Sequence, residues 1–387
     1  MSPDPIYLDC NATTPVDPRV LDAMLPYLAV HYGNPSSDHV VGQRARAAIG
    51  VARAEVAALI GATPAEIVFT GCATEANNLA LLGAARAAQP GGRSVLVTSA
   101  IEHPSVLHPL RHLAREGWSV TELPVDATGR VQPDHAANLI TPEVALVSVM
   151  LANNETGSLQ AVRALADLAH AAGALMHVDA AQAVGKVAVD VHALGADLLT
   201  LAGHKFYAPK GVGALVVRTG VALEPIQYGA GHEHGLRPGT ENVPHIVALG
   251  EAARLARTTL AQEAARMTAL RDHLHGLLAA AIPGLHLNGH PTERLPNTLN
   301  ISFPGVAGWQ LLTAAPAVAA STGSACHAGE HAVSGVLAAM GLTQEAAAGA
   351  VRLSLGRFTT ATEIDRAADA LISAWKSLTA TSDRGFY

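Results

Sequence analysis

Short apolar runs that alternate with helix-length segments are the feature that most restricts the fold of this chain. Six such runs occupy residues 67–69, 94–97, 144–150, 175–178, 198–202 and 213–218. Runs that are apolar nearly throughout suit strands buried on both faces. Strands separated by helical segments favour a parallel sheet with helices on both sides. The sequence therefore predicts an α/β fold with a mostly parallel central sheet covered by helices.

The helical segments suggest a division into two domains. We predict one helix over residues 46–60, ended by Gly61, and a long alanine-rich helix over about 244–280. In the last segment, Thr360 and Glu363 fit a capping box. The helix that follows has one apolar face, formed by Ile364, Ala368, Leu371, Trp375 and Leu378. We expect a large domain at 1–250, including the N-terminal segment, and a smaller α+β domain at 251–387.

Lys205 follows the apolar run that ends at residue 202. The chain has four lysines, at positions 186, 205, 210 and 376, so a lysine here is unusual. Burial disfavours the charged amine, and a neutral amine can attack a carbonyl such as the aldehyde of pyridoxal phosphate. The alternative is a lysine at a strand end that extends into solvent.

Two further polar side chains follow apolar runs. Asp179 comes after residues 175–178, where a carboxylate could pair with a pyridinium N–H; capping of the next helix is the alternative. His103 follows the run 94–97 and could stack on a flat cofactor or relay protons, or could be an ordinary loop residue. Three such residues on one α/β pattern favour a common site.

The junction after residues 67–69 offers a phosphate site. It runs through Cys72, Ala73 and Thr74 into a predicted helix, whose first N–H groups lack partners within the helix. The Thr74 hydroxyl is a further donor, or an ordinary helix cap.

Cys326 lies in the small-residue segment 321–329. A free cysteine is usually a small buried hydrophobe, whereas small polar neighbours and the adjacent His327 favour an exposed, reactive thiol. We expect Cys10 and Cys72 to be packing residues. Three scattered cysteines are too few for a disulfide framework or a four-thiolate metal site, and we predict no metal.

Charge and hydropathy exclude some classes of function. The formal net charge of −7 argues against a general binder of nucleic acid or acidic membranes. The sequence shows no apolar run long enough for a membrane span and no signal-peptide pattern at its start. We expect a cytoplasmic protein.

The motifs taken together resemble the cysteine desulfurases and selenocysteine lyases, in the class-V branch of fold-type I pyridoxal-phosphate enzymes. Their order and spacing over most of the chain make coincidence very improbable. They are residues 8–15 (LDCNATTP), 33–37 (GNPSS), 69–78 (FTGCATEANN), 153–157 (NNETG), 177–182 (HVDAAQ), 203–205 (GHK), 237–242 (RPGTEN), 321–326 (STGSAC) and 351–357 (VRLSLGR).

The resemblance implies a homodimer that binds pyridoxal phosphate in the large domain and carries its catalytic cysteine on a loop of the small one. It implies catalytic roles for Lys205, Cys326 and His103. For the cofactor it implies contacts from Ala73, Thr74, His103, Asn154, Asp179, Gln182, His204, Lys205 and, across the dimer interface, Thr240. It implies that Arg352, helped by Asn34, binds the substrate carboxylate.

The resemblance also implies the reaction. L-cysteine would give L-alanine and a persulfide on Cys326, which passes sulfur to an acceptor such as an iron–sulfur scaffold or a sulfur relay. A selenocysteine lyase using the same residues is the alternative, and a sulfur-relay or partner-binding protein is a different class of answer. Two departures bear on the choice: Ala202 stands where many desulfurases have serine, and His327 where scaffold-dependent ones commonly have a small hydroxyl residue.

Overall fold

The computed structural model describes residues 4–322 and 333–382. Within them the strands are β1 (Ile6–Tyr7), β2 (Ile67–Thr70), β3 (Val95–Ser99), β4 (Ser119–Leu123), β5 (Val144–Met150), β6 (Leu175–Asp179), β7 (Leu198–Ala202), β8 (Gly213–Val217), β9 (His286–Asn288), β10 (Thr298–Ser302), β11 (Val318–Ala319) and β12 (Ala350–Ser354). The helices are α1 (Pro18–Ala29), α2 (Val40–Leu59), α3 (Ala73–Ala88), α4 (Pro104–Arg115), α5 (Pro133–Ala136), α6 (Val162–Ala171), α7 (Val191–Leu194), α8 (Val243–Ala281), α9 (Gly308–Ala314), α10 (Gly335–Ala339), α11 (Gln344–Ala348) and α12 (Ala361–Ser382).

Seven strands form the central sheet, in the order β2-β8-β7-β6-β5-β3-β4. β8 runs antiparallel to both neighbours, β2 and β7, and the other neighbouring strands are parallel. Apolar side chains fill the layers between this sheet and the helices on its two faces. The predicted α/β fold with a mostly parallel central sheet is confirmed. Because only β8 is reversed in this sheet, the other six strands have their carboxyl ends at one edge.

A second core lies around the smaller, antiparallel sheet β12-β10-β9. β1 pairs in parallel with β11, and Ile6 and Leu8 pack in this core with Leu299 and Leu353. The start of the chain therefore packs with its C-terminal part.

α8 connects the two cores. This 39-residue helix runs through residue 250 without a break and packs on α2, where a Cβ at Gly250 would lie 2.5 Å from Cα of Ala52. The domain boundary at residue 250 therefore falls inside a continuous helix and stays a prediction.

Two helix predictions can be compared directly with the structure. α2 begins at Val40, six residues before the predicted start, and includes Gly42, where a Cβ would lie 2.4 Å from the Ser37 carbonyl oxygen. Glycine is needed there for the close approach of two chain segments. At α12 the capping box is confirmed: Thr360 N donates to Glu363 Oε2 (2.8 Å), and Glu363 N donates to Thr360 Oγ1 (3.3 Å).

None of the helices in residues 4–322 and 333–382 has both the length and the apolar character that a membrane crossing requires.

Candidate active site

A cavity of about 200 Å³ opens at the carboxyl edge of the central sheet, a volume that suits a compact ligand. Its walls come from the ends of β2, β5, β6 and β7, the loop after β3 and the start of α3. The lining residues are Cys72, Ala73, Thr74, His103, Ser105, Met150, Ala152, Asn154, Asp179, Ala181, Gln182, Ala202, His204 and Lys205. Parallel strand order thus brings together side chains that are far apart in sequence.

Lys205 lies in a turn just after β7. Its Nζ donates to the carbonyl oxygens of Asn11 (2.5 Å) and Ala12 (2.8 Å). Burial lowers the pKa of this amine to about 8, and the positive charge of Arg352 acts in the same direction. The amine is therefore neutral more often at pH 7 to 8 than a lysine in water.

Asp179 ends β6 and is buried. Oδ2 accepts from Asn77 Nδ2 (2.8 Å) and Oδ1 from the backbone N–H of Ala181 (2.9 Å). Within residues 4–322 and 333–382 this carboxylate has no ion-pair partner. Its charge is therefore available to a cationic group in the cavity.

His103 caps α4, and its ring is oriented by that cap. Nδ1 accepts from the backbone N–H of Ser105 (3.1 Å) and lies 2.8 Å from Ser105 Oγ. Burial lowers the pKa of His103, so the ring is neutral near pH 7. Because Nδ1 accepts, Nε2 carries the proton of the neutral ring. Asn77 Nδ2 also donates to Ser105 Oγ (2.8 Å), so one amide links the surroundings of His103 and Asp179.

The other end of the cavity is rich in hydrogen-bond donors. Ala73 and Thr74 form the first turn of α3, where backbone N–H groups have no acceptor within the helix. His204 also lines the cavity, and burial lowers its pKa to about 4, so the ring is neutral. Ala202 lies on the wall without a side-chain donor.

Gln182 and Asn154 lie on the wall near the N-terminal segment. Gln182 Nε2 donates to the carbonyl oxygen of Asn11 (2.9 Å), and its Oε1 accepts from Lys186 Nζ (2.6 Å). The carbonyl oxygen of Asn154 accepts from both Asn11 Nδ2 (3.2 Å) and Arg352 (3.0 Å).

Arg352 lies behind this wall, in β12. Its Nη2 forms an ion pair with Asp9 (2.7 Å) and Nη1 donates to Asn154 O, whereas Nε is buried without a partner among the described residues. Its charge acts on Lys205, although it does not line the cavity. Asn34 and Thr240 are exposed and do not line the cavity of the single chain.

Cys326 and His327 lie outside the described residues. The segments that flank them are anchored near the site: Ser321 pairs with the backbone of Arg352, and Ser334 Oγ donates to Glu155 Oε2 (2.5 Å). The two other cysteines lie within the described residues. Cys10 is buried, which raises its pKa to about 12, and Cys72 Sγ caps α3 by accepting from Glu75 N (3.4 Å).

Sequence reasoning missed several polar residues that support the cavity: Asn11, Asn77, Glu102, Ser105 and Lys186. Glu102 is fully buried; its Oε1 accepts from Ser99 Oγ (2.5 Å) and Met150 N (2.8 Å), and burial raises its pKa to about 8. The position of Glu102 beside His103, and of Asn11 and Asn77 inside recognised motifs, was an available signal. For Lys186 the only signal in the sequence was that lysines are rare in this chain.

The side chains present fit pyridoxal phosphate. A carboxylate without an ion-pair partner suits a ring N–H, a lysine of lowered pKa suits the aldehyde, and a helix start beside Thr74 and His204 suits a phosphate. These groups come from different elements, namely the end of β6, the turn after β7 and the start of α3, and they line one compact cavity, which matches a ligand with three chemically different ends.

Comparisons with known proteins show which proteins this chain is similar to. The class-V aminotransferase family matches residues 6–367. A protein named cysteine desulfurase 2 from Trichormus variabilis is 47% identical over 363 residues, which cover 93% of this chain and 90% of that protein. A NifS-like protein of known structure superposes with a TM-score of 0.91 at 36% identity, covering 97% of this chain and 100% of that one. The structure described as SspA in complex with cysteine superposes with a TM-score of 0.81 at 34% identity, covering 92% and 100%.

Proposed function

This chain belongs to the class-V aminotransferase family, and from that premise we infer that it is a pyridoxal-phosphate-dependent cysteine desulfurase. We assign L-cysteine as the substrate because the relatives are named cysteine desulfurases and one structural neighbour is described in complex with cysteine. These names do not favour the selenocysteine lyase alternative.

One observation carries the assignment. An amine of lowered pKa and a carboxylate without an ion-pair partner line the same cavity, at the ends of β7 and β6. A lysine and an aspartate with a purely structural role inside a protein would be expected to pair with opposite charges. Here Lys205 donates hydrogen bonds to carbonyl oxygens, and Asp179 accepts them from N–H groups.

Lys205, Asp179 and His103 have separate roles in this proposal. Bound pyridoxal phosphate supplies an electron sink for negative charge that develops on the substrate's α-carbon. Lys205 would hold the cofactor through Nζ and would move protons as a base during the reaction. Asp179 keeps a proton on the ring nitrogen, and the neutral His103 offers the N–H of Nε2. Ala73, Thr74, His204 and the partner's Thr240 bind the phosphate, Gln182 the ring oxygen, and Asn154 lies near the ring.

Sulfur leaves the substrate by attack of the Cys326 thiolate on the substrate sulfur. The new bond is S–S and the broken bond is the substrate C–S bond, whose electrons stay on carbon. Protonation of that carbon gives L-alanine, and Cys326 becomes a persulfide. Arg352 and Asn34 bind the substrate carboxylate; of the five N–H donors of Arg352, Asp9 and Asn154 O accept from two.

The working unit in this proposal is a cytoplasmic homodimer that passes sulfur to an acceptor protein, such as an iron–sulfur scaffold or a sulfur relay. Thr240 is exposed, as a residue that serves a neighbouring subunit must be. The outer face of α1 exposes Leu21, Leu25 and Leu28, spaced so that they form one apolar row that a second subunit could cover.

The test is covalent trapping on the purified protein. Borohydride reduction followed by peptide mapping should place the pyridoxyl group on Lys205. Lys205→Ala should abolish the adduct and L-alanine formation, whereas Lys210→Ala, at an exposed lysine five residues away, should keep both. An adduct on Lys186 or Lys210 in the wild type contradicts the assignment.

The nucleophile is tested with L-cysteine and L-selenocysteine on the same preparation. Cys326→Ala should remove activity on L-cysteine and keep the visible absorbance of the cofactor. Near wild-type desulfuration by this variant contradicts the persulfide step, and a wild type that turns over L-selenocysteine but barely L-cysteine is a lyase instead.

A further inference from the structure

Lys186 is a buried lysine that the proposed reaction does not use. It is 4% exposed, and its Nζ donates to Gln182 Oε1 (2.6 Å) and Asn11 Oδ1 (3.2 Å). Both acceptors are neutral amide oxygens, and no carboxylate in residues 4–322 and 333–382 pairs with it. A lysine that is buried without a counter-charge costs stability, so its presence calls for a role other than packing.

The titratable and charged groups that act on Lys186 are Lys205, Cys10 and Arg352. Burial lowers the pKa of Lys186 to about 7, and the positive charge of Lys205 contributes to this shift. A neutral amine keeps two N–H donors, which match the two acceptors. The contacts of Lys186 therefore persist whether or not it is charged.

Lys186 fixes the direction of the Gln182 amide. Oε1 of Gln182 points to the Lys186 amine, and Nε2 points to the carbonyl oxygen of Asn11, which can only accept. A flipped amide would bring its oxygen against that carbonyl. One Nε2 hydrogen is used by Asn11 O, which leaves the second one for another acceptor, and Gln182 itself lines the cavity.

We propose that Lys186 is a positioning residue for the cofactor, which acts by holding Gln182 so that an N–H donor faces the cavity. A donor at this wall favours an anionic oxygen on the pyridoxal ring over a hydroxyl group. The inference rests on the proposed function, since it concerns the same cofactor site. It adds a residue that lies behind the wall and touches neither cofactor nor substrate.

The experiment is a double-mutant cycle on the affinity of the apoprotein for pyridoxal phosphate, measured by absorbance titration. Lys186→Met should weaken binding roughly three- to tenfold, the value of one lost hydrogen bond. In a Gln182→Leu background the same change should have no further effect, because the residue it orients is gone. Lys376→Met, at an exposed lysine of α12, is the matched control and should leave the affinity unchanged.

A purely structural role predicts a different result. Lys186→Met would then weaken binding equally with Gln182 or Leu at position 182, and this outcome overturns the proposal, as does unchanged affinity in the single variant. If the methionine variant does not fold, Lys186→Gln enters the same cycle. Its side chain is shorter than lysine and places its donor farther from Gln182, so it should weaken binding less than methionine would, and should have no effect in the Gln182→Leu background. A wild-type apoprotein that does not bind pyridoxal phosphate at all overturns the proposed function and this inference together, which separates that failure from the failure of Lys186 alone.

Discussion

At Lys205 the protein lowers the pKa of an amine by removing it from water and placing one cation, Arg352, near it. The hydrogen-bond acceptors of Nζ are two backbone carbonyls of the N-terminal segment, Asn11 and Ala12, which stabilise the amine in either charge state. Arg352, itself paired with Asp9, adds a positive charge nearby. The reactivity of Lys205 therefore depends on residues from both ends of the chain.

This environment predicts how cofactor uptake depends on pH. The neutral amine is the form that attacks the aldehyde, so the rate at which apoprotein takes up pyridoxal phosphate should rise with pH through about 8 and level off above it. At pH 7.5 about a quarter of Lys205 is neutral, against about 0.1% of a lysine with an ordinary pKa. Stopped-flow absorbance after mixing gives the rate. A rate that keeps rising up to pH 10 would mean that the amine is an ordinary one.

The lowered pKa values of the two buried lysines also determine how the stability of the apoprotein changes with pH. The folded-state pKa of Lys205 (about 8) is below the value of 10.5 for a free lysine, and that of Lys186 (about 7) is lower still. The unfolded chain therefore binds more protons between about pH 7 and 10.5. The two lysines make folding more favourable as pH rises through that window.

At the scale of secondary-structure elements, the site depends on how closely α3 approaches the sheet. β8 begins at Gly213, beside the end of β7 and the junction between β2 and α3. A Cβ added there would lie 2.8 Å from the carbonyl oxygen of Leu201, 3.0 Å from the carbonyl carbon of Cys72 and 3.2 Å from the Ala73 nitrogen. These are backbone atoms, so the start of α3 would have to shift.

Gly213→Ala should therefore affect cofactor binding as well as folding. We expect a loss of about 1–3 kcal/mol in the free energy of unfolding and weaker affinity for pyridoxal phosphate, because the N–H groups of Ala73 and Thr74 are displaced. Urea titration and absorbance titration measure the two effects. Gly276→Ala is the control: a Cβ there meets nothing within 4 Å, and alanine in the interior of α8 should stabilise by up to about 1 kcal/mol. Unchanged affinity in Gly213→Ala would show that the close approach does not position α3.

Most strands of the central sheet were predictable because each is a largely apolar run. β4, at the edge of the sheet, was not predicted, since three of its five residues are Ser119, Thr121 and Glu122. Residues 144–150 and 198–202 were predicted with the bounds of β5 and β7, and β6 is longer by Asp179 alone. The start of α2 was missed because Gly42 suggests a break, whereas it is required by contact with Ser37. A pattern of neighbouring residues in the sequence cannot predict a contact that forms only when the chain folds.

The same limit explains which parts of the site were missed. Lys205, Asp179 and His103 follow strands, and topology alone places such residues at one edge of a parallel sheet. Asn77 meets Asp179 across 102 residues, and Lys186 meets Asn11 across 175. These pairs depend on the packing of the N-terminal segment and α3 against β6, which no local pattern specifies.

At the scale of the whole molecule, Asn11 joins the N-terminal segment to both cores. Its backbone carbonyl accepts from Lys205 and Gln182, and its backbone N–H donates to Ser354 Oγ (2.9 Å) in β12. Its side chain accepts from Lys186 and Asn297 and donates to Asn154 O and Thr298 Oγ1. One buried amide thus ties the cavity wall to the C-terminal sheet.

Asn11→Leu keeps the approximate size of this side chain and removes its side-chain hydrogen bonds, whereas the backbone bonds of residue 11 remain. The amine of Lys186 and the amide of Asn297 each lose an acceptor inside the protein, and buried donors without partners cost about 1–3 kcal/mol each. We therefore expect the urea midpoint of the apoprotein to fall, with a loss of roughly 2–4 kcal/mol, the range of severe single substitutions. Affinity for pyridoxal phosphate should fall as well, because the backbone that supports Lys205 and Gln182 loses the side-chain bonds of Asn11 to Asn297 and Thr298 and is held less firmly from the C-terminal side. Asn138→Leu, at an exposed asparagine, should change neither quantity.

Two other outcomes would contradict the double role of Asn11. A stable Asn11→Leu protein with weakened affinity would show that Asn11 supports the cavity without joining the two cores. A destabilised protein with normal affinity would show that Asn11 joins the two cores without supporting the cavity.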